Sequence, residues 1–330
     1  GFNWITGHQS KISISGLEDL EEDLIEAKKV KSMLLSFKDT SLTQQQNITK
    51  KIAVFDLNNT IEEAEKFPYH NFPLNQIGGI HLNLVEFMTD IHPIRNVQEA
   101  EAYIDRLNLF DDSFKGTLEI LDAQREAGIF PPKFVFDHVI RQLTEFLNYE
   151  KEENPLREVF VRKIKELDLD SETSQDLVSK LDLAMEDSVK PGFGLLLGFM
   201  YETLPQANIH DGVWSLPNGD DFYALRLKVY TTTNYSAEEI HNIGLSEVQR
   251  ITNRMQEIFG QLGYGNNLNV GQMMNELNAD PKFLYADTPD RKQVVVKDYA
   301  DIVEETWGAA ASSFHKMPES KVEVRAVPEY

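Results

Sequence analysis

Glu238 and His241 stand three residues apart, an E-x-x-H pair at the start of a helical stretch. Residues at i and i+3 share one face of a helix, and di-iron bundles hold metal with that spacing. Such a site needs two pairs and two further carboxylates. Among the eight histidines, only His241 has a glutamate three residues upstream. The pair is better read as solvated charge or a local hydrogen bond. A catalytic zinc needs three protein ligands. No H-E-x-x-H occurs, and no two histidines are four residues apart. Cysteine is absent, so there is no thiol nucleophile and no disulfide framework. Neither a phosphate-binding Walker loop nor a G-x-S-x-G elbow is present. No metal ligand, cofactor or catalytic residue is assigned within the chain. The remaining side chains suited to recognition are Tyr223 and Tyr230, whose hydroxyls can face a cleft or satisfy a buried carbonyl.

The elements that position these residues are mainly helical. Leu17, Leu20, Leu24, Ala27 and Leu34 recur at three- and four-residue steps, a single apolar stripe. Ser15 with Glu18, and Thr43 with Gln46, have capping-box spacing. Residues 68–84 carry two prolines and a Gly-Gly pair, so they form an ordered connection rather than a helix. Asn75 and Gln76 can bond the backbone bared there. Short helices over 97–109 and 112–127 end at Gly128, a C-terminal cap. Val135, Phe136, Val139, Ile140, Leu143, Phe146 and Leu147 then line one face of a core helix. Further helices start at Pro155 and near Glu172. Pro191 breaks the pattern before the apolar GFGLLLGFM, read as a buried helix. A last long helix runs from Thr288 to about His315.

The densest stretch is Asp211 to Arg250. Leu216-Pro217-Asn218-Gly219 fits a tight turn, with Trp214 expected to pack it onto the core. A small hairpin is open to residues 213–223. A helix carrying Tyr223 and Tyr230 follows, then the Thr231–Thr233 break. Ser236 and Glu239 repeat the capping-box spacing, and Gly244 on an apolar face suggests close helix contact. The tail KVEVRAV alternates like a strand over 321–327. The fold class is therefore mainly α, a multi-helix array with short β segments. It reads as one helical unit, divisible at the charged 149–154 stretch into lobes 1–150 and 151–330.

Several segments carry a resemblance in order. They are FPLNQIGGIHLNL, NVQEAEAYIDRLNLF, GIFPPKFVFDHVIRQL, NPLREVFVRKI, the DGVWSLPNG to YTTTNYSAEEIHNIGLSEVQRI stretch, and MPESKVEVRAVPEY. Together they resemble the bacterial family known as domain of unknown function 885. The resemblance implies a gluzincin-like zinc metallopeptidase whose H-E-x-x-P-G-H-H pattern lies in a later half. No position here matches that pattern, so no ligand is carried over. The chain resembles the N-terminal half. It is expected to shape a peptide-binding cleft, with Tyr223, Tyr230 and His241 on its wall, and to be inactive alone. Zinc and the missing C-terminal half belong to a longer parent. Relatives of this kind are often exported or lipid-anchored, which implies a periplasmic or envelope-attached hydrolase-like lipoprotein. The alternative is a non-enzymatic helical binding or scaffold protein of the envelope.

Composition narrows the partners. The chain has 330 residues, 54 acidic against 32 basic, a formal net charge of -22. Such a surface repels nucleic acid and anionic lipid. No apolar run reaches the roughly 18 residues that span a bilayer.

Overall fold

The computed structural model describes residues 11–12, 16–264, 268–320 and 322–326. It is mainly α-helical, as the periodicity predicts. Two compact units divide at Ala237/Glu238. The charged stretch near residue 150 falls inside the first unit, where a short 3-10 turn covers Lys151–Glu153.

The first unit opens with a helical hairpin. Helix α1 (Leu17–Ser36) and α2 (Gln44–Lys66) run as neighbours. At the start of α2, Gln46 N donates to Thr43 Oγ1 at 3.2 Å and Thr43 N donates to Gln46 Oε1 at 2.8 Å. That reciprocal cap contributes about 1 kcal/mol. At α1 the bond is one-way, Gly16 N donating to Asp19 Oδ2 at 2.7 Å with no side chain on Gly16 to return it, whereas Ser15 lies outside the described residues. No residue of α1 is fully buried.

The core comes next. It is built by α3 (Ile80–Glu86), α4 (Val97–Leu107), α5 (Phe110–Glu126), α6 (Lys133–Leu147), α7 (Pro155–Lys165), α8 (Ser171–Ala184) and α9 (Lys190–Thr203). Helix α6 buries Val135, Phe136, Val139, Leu143 and Phe146, while Ile140 and Leu147 pack partly buried beside them. The Phe146 ring stacks on Phe193 of α9, centroids 3.8 Å apart and 14° from parallel. The core is therefore continuous across residue 150.

Pro191 does not end a helix. A π-helical turn, Met185–Val189, joins α8 to α9. Proline cannot donate to the preceding turn and its ring crowds a carbonyl, so a locally widened helix absorbs it. The GFGLLLGFM stretch buries Phe193, Leu196, Phe199 and Met200 but leaves Leu195 exposed. Helix α5 ends as expected at Gly128, with φ +71°. There Ile129 N donates to Gln124 O at 2.9 Å, and Gly128 N to Arg125 O at 3.1 Å. That pairing is the Schellman arrangement, which a left-handed glycine permits.

The short β segments differ from expectation. Among the described residues the β pairing is one isolated bridge, Pro132 with Asn208. A 3-10 turn (Val213–Ser215) and helix α10 (Gly219–Thr231) occupy 213–223 in place of a hairpin. Residues 322–326 carry no strand; residues 321 and 327 lie outside the described residues. An alternating pattern needs a pairing edge, and these positions have none among the described residues.

The second unit holds most of α11 (Ala237–Gln261), α12 (Val270–Ala279) and α13 (Arg291–Ala310). Among its described residues the buried ones are Phe259 and Met273. Helix α13 stops short of His315. An added Cβ on Gly244 meets nothing within 4 Å, so the close helix contact expected there is absent. That glycine is a tolerated one.

His92 supplies a pH-dependent element of the core. It is 2% exposed, beside the π-helical turn Phe87–Ile91. Its Nδ1 faces Pro93 O at 2.8 Å. Burial first, and then the positive Arg106, lower its pKa from 6.5 to about 4. The unfolded chain takes up this proton near pH 6.5, whereas the folded chain resists it until about pH 4. Stability is thus full above pH 6.5 and falls as the pH drops toward 4. Between pH 7 and pH 5 the expected loss is about 2 kcal/mol. Urea midpoints across that range measure it. A His92→Asn variant is expected to show a shallower slope, and an unchanged slope contradicts the assignment.

Candidate functional site

The connection at 68–84 is ordered by side chains of the helices around it. Asn75 Oδ1 accepts from Ile77 N at 3.0 Å and Gly78 N at 2.9 Å, and its Nδ2 donates to Phe72 O at 2.8 Å. From α5, Gln124 Nε2 donates to Tyr69 O at 2.8 Å and Asn71 O at 2.7 Å. From α6, Gln142 Nε2 donates to Gln76 O at 3.1 Å, while its Oε1 lies 3.1 Å from His81 Nε2. Two helix glutamines thus replace the ladder that prolines deny this segment.

This connection also anchors the turn at Pro217 and the start of α10 (Gly219–Thr231). His70 Nε2 donates to Pro217 O at 2.7 Å. The His70 ring lies 5.2 Å from Phe67 and 4.9 Å from Phe222. Phe67, Phe222 and Leu225 form a small buried cluster apart from the main core. On its flank, Arg226 Nη1 donates to Glu63 Oε2 at 3.0 Å and Lys228 Nζ to Glu62 Oε2 at 3.2 Å. Helix α10 is therefore fixed along α2 by apolar contact and two part-exposed ion pairs.

The turn before α10 is tight. Asn218 takes the left-handed conformation, φ +54°, and Gly219 N donates to Leu216 O at 2.9 Å. Trp214 is 61% exposed, contrary to the expectation that it packs the turn onto the core. Its ring sits 5.0 Å from the exposed His210. Phe222, one turn into α10, makes the buried contact instead. After α10, Thr231 Oγ1 donates to Leu227 O at 2.8 Å, and Thr233 N donates to Thr231 Oγ1 at 3.2 Å. Threonine hydroxyls thus replace the helix ladder and end α10.

Tyr223 and Tyr230 lie on α10 at i and i+7, which is one side of a helix. They are 46% and 76% exposed. Arg226 stacks over the Tyr230 ring at 4.9 Å and donates to its hydroxyl at 2.9 Å. His241 belongs to α11 in the second unit, where it and Glu238 are both exposed. Among the described residues, no group of three or more His, Asp or Glu side chains could hold a metal ion.

A cavity of about 130 Å³ sits beside the turn, within the first unit. His70, Phe72, Phe130, Pro132, Asp211 and Phe222 are among its walls. Asn208 holds its rim: its Nδ2 donates to Ser215 Oγ at 2.7 Å, and its Oδ1 accepts from His210 N at 2.9 Å. Lys133 N donates to Asn208 O at 2.9 Å, tying the rim to α6. Sequence reasoning missed this hollow and the role of His70. The signal was a glutamine on the apolar side of α5, but its partners are far away in the chain. A wider open cleft of about 560 Å³ lies in the second unit beside α13. Two of its cations are already paired: Arg291 with Asp287 at 3.6 Å, and Arg325 with Glu323 at 2.5 Å.

A multi-helix protein with a rigidly backed aromatic helix defines the class. Within it, the chain belongs to the family described as bacterial protein of unknown function (DUF885), whose pattern matches residues 6–330. No curated protein matches it. Solved structures are similar, among them two lipoprotein-described ones. One, the "putative lipoprotein" from Colwellia psychrerythraea, shares 26% identity with a TM-score of 0.88, over 97% of this chain and 56% of that one. The other, a "putative lipoprotein of unknown function" from Shewanella oneidensis, shares 11% identity and the fold, with a TM-score of 0.59 over 92% of this chain and 53% of that one. The chain spans just over half the length of each. No helix among the described residues is long and apolar enough to cross a membrane.

Proposed function

We propose that this chain is the helical, substrate-positioning part of a longer zinc-dependent peptidase attached to the cell envelope. The observation that carries the reading is α10. Phe222, Leu225 and two ion pairs fix it to α2 and the connection, and it presents the exposed Tyr223 and Tyr230, the latter with Arg226 over its ring. Such a helix can line a cleft without moving when a peptide arrives. The length of the similar structures supports a longer parent, and in this reading its other part holds the metal. Those relatives' descriptions as lipoproteins support envelope attachment.

Metal analysis and a peptide-library assay test it. The isolated chain is expected to bind no stoichiometric zinc and to cleave nothing. A longer form is expected to bind one zinc and cleave peptides. Tight catalytic zinc in the isolated chain would overturn the reading.

A non-enzymatic binding or scaffold role is favoured by one observation. Ile243, Val248, Ile251 and Ile258 of α11 are all exposed, and an apolar face of that kind suits a protein partner. The coding sequence after Tyr330 discriminates: paired histidines there favour the peptidase, and a stop codon favours the scaffold.

A further inference from the structure

We propose that the cavity beside the 211–216 turn takes the cationic side chain, arginine or lysine, of an extended peptide. The proposal deepens the peptide reading above and rests on it. Size is the first argument. At about 130 Å³ the hollow is well below the roughly 300 Å³ of a pocket for a whole small ligand. It has room for one side chain. Its walls are Phe72, Phe130, Pro132 and Phe222, which suit the methylene stem that both basic residues carry.

The polar groups are the second argument. His70 is 6% exposed, and its Nε2 hydrogen is committed to Pro217 O. Its Nδ1 is buried and has no hydrogen-bond partner. In the neutral ring that nitrogen is an acceptor. Asp211, also on the wall, is exposed and makes no ion pair among the described residues. His70 Nδ1 and the Asp211 carboxylate are thus acceptors, and lysine and arginine side chains only donate. No lysine or arginine lines the hollow. The net charge of -22 raises the local concentration of cations, and Asp211 gives that field a focus.

The test titrates the chain with the blocked peptides Ala-Ala-Arg-Ala-Ala, Ala-Ala-Lys-Ala-Ala and Ala-Ala-citrulline-Ala-Ala, read by calorimetry. Citrulline keeps the shape of arginine and removes the charge. The arginine and lysine peptides are expected to bind about tenfold more tightly than the citrulline peptide. Asp211→Asn is expected to abolish that difference. Glu152→Gln, on an exposed turn away from the cavity, is expected to keep it. Equal affinity for the arginine and citrulline peptides overturns the proposal, as does no binding of any peptide at millimolar concentration. So does a difference that survives Asp211→Asn or that Glu152→Gln also removes. The two readings fail separately. Discrimination here without cleavage by a longer form removes the peptidase and keeps the slot. Cleavage without discrimination does the reverse.

Discussion

Phe193→Ala is expected to lower the unfolding free energy of the first unit by about 3–5 kcal/mol. The ring is fully buried and touches two others: Phe146, stacked at 3.8 Å, and Phe114, edge-on at 5.3 Å. Its removal costs the transfer energy of the ring and opens a cavity between α5, α6 and α9. Gly192 sits close by, where an added Cβ would meet a Phe114 ring carbon at 2.7 Å. The backbone is already near its limit of approach there, so the helices cannot close over the gap. Urea unfolding of the variant reads the loss. The double-mutant cycle with Phe146→Ala is expected to show coupling of about 0.5–1.5 kcal/mol. A loss below about 1 kcal/mol contradicts a single core spanning residue 150.

The second large effect falls on the 211–250 stretch. Gly219→Ala is expected to destabilise by about 3 kcal/mol, the upper end of the overpacking range. A Cβ at this position would lie 1.9 Å from Val213 O, 2.8 Å from Val213 C and 3.0 Å from Trp214 Cα. All three are backbone atoms, so no side chain can swing aside. The 3-10 turn must separate from the start of α10, taking the His70 to Pro217 bond with it. Hydrogen exchange over residues 213–231 is expected to accelerate. Gly244→Ala is the opposite case: it sits in an exposed helix interior with open space around it. There alanine is expected to stabilise by about 0.5–1 kcal/mol. Similar losses at the two glycines would contradict the geometry of the turn.

The helices were legible where the apolar period is strong and local. Helix α6 shows the same face in sequence and structure, and the caps at Thr43 and Gly128 follow from side chain and backbone chemistry within a few residues. Pro191 was misleading because a π turn can carry a proline that a regular helix cannot. Trp214 was misleading because size argues for burial, yet its neighbour in the turn, Gly219, leaves space only for backbone, and Phe222 fills the core contact. The site was less legible than the fold. Tyr223 and Tyr230 were readable as a pair, since seven residues return to one helix side. The hollow was not readable, because its walls come from residues 70–72, 130–132 and 208–222. Its organising bonds, from Gln124 and His70, span 53 residues or more. No local pattern encodes contacts at that separation.

In the proposed reading, α10 positions a peptide for a zinc centre elsewhere in a longer parent. The most direct measurement is peptide cleavage by that longer form, with and without Tyr223→Ala and Tyr230→Ala together. Both side chains are exposed, so folding should persist. Zinc-dependent cleavage is expected, with KM raised about tenfold in the double variant, since two aromatic contacts are lost. No zinc-dependent cleavage, or a double variant with unchanged kcat and KM, would contradict it.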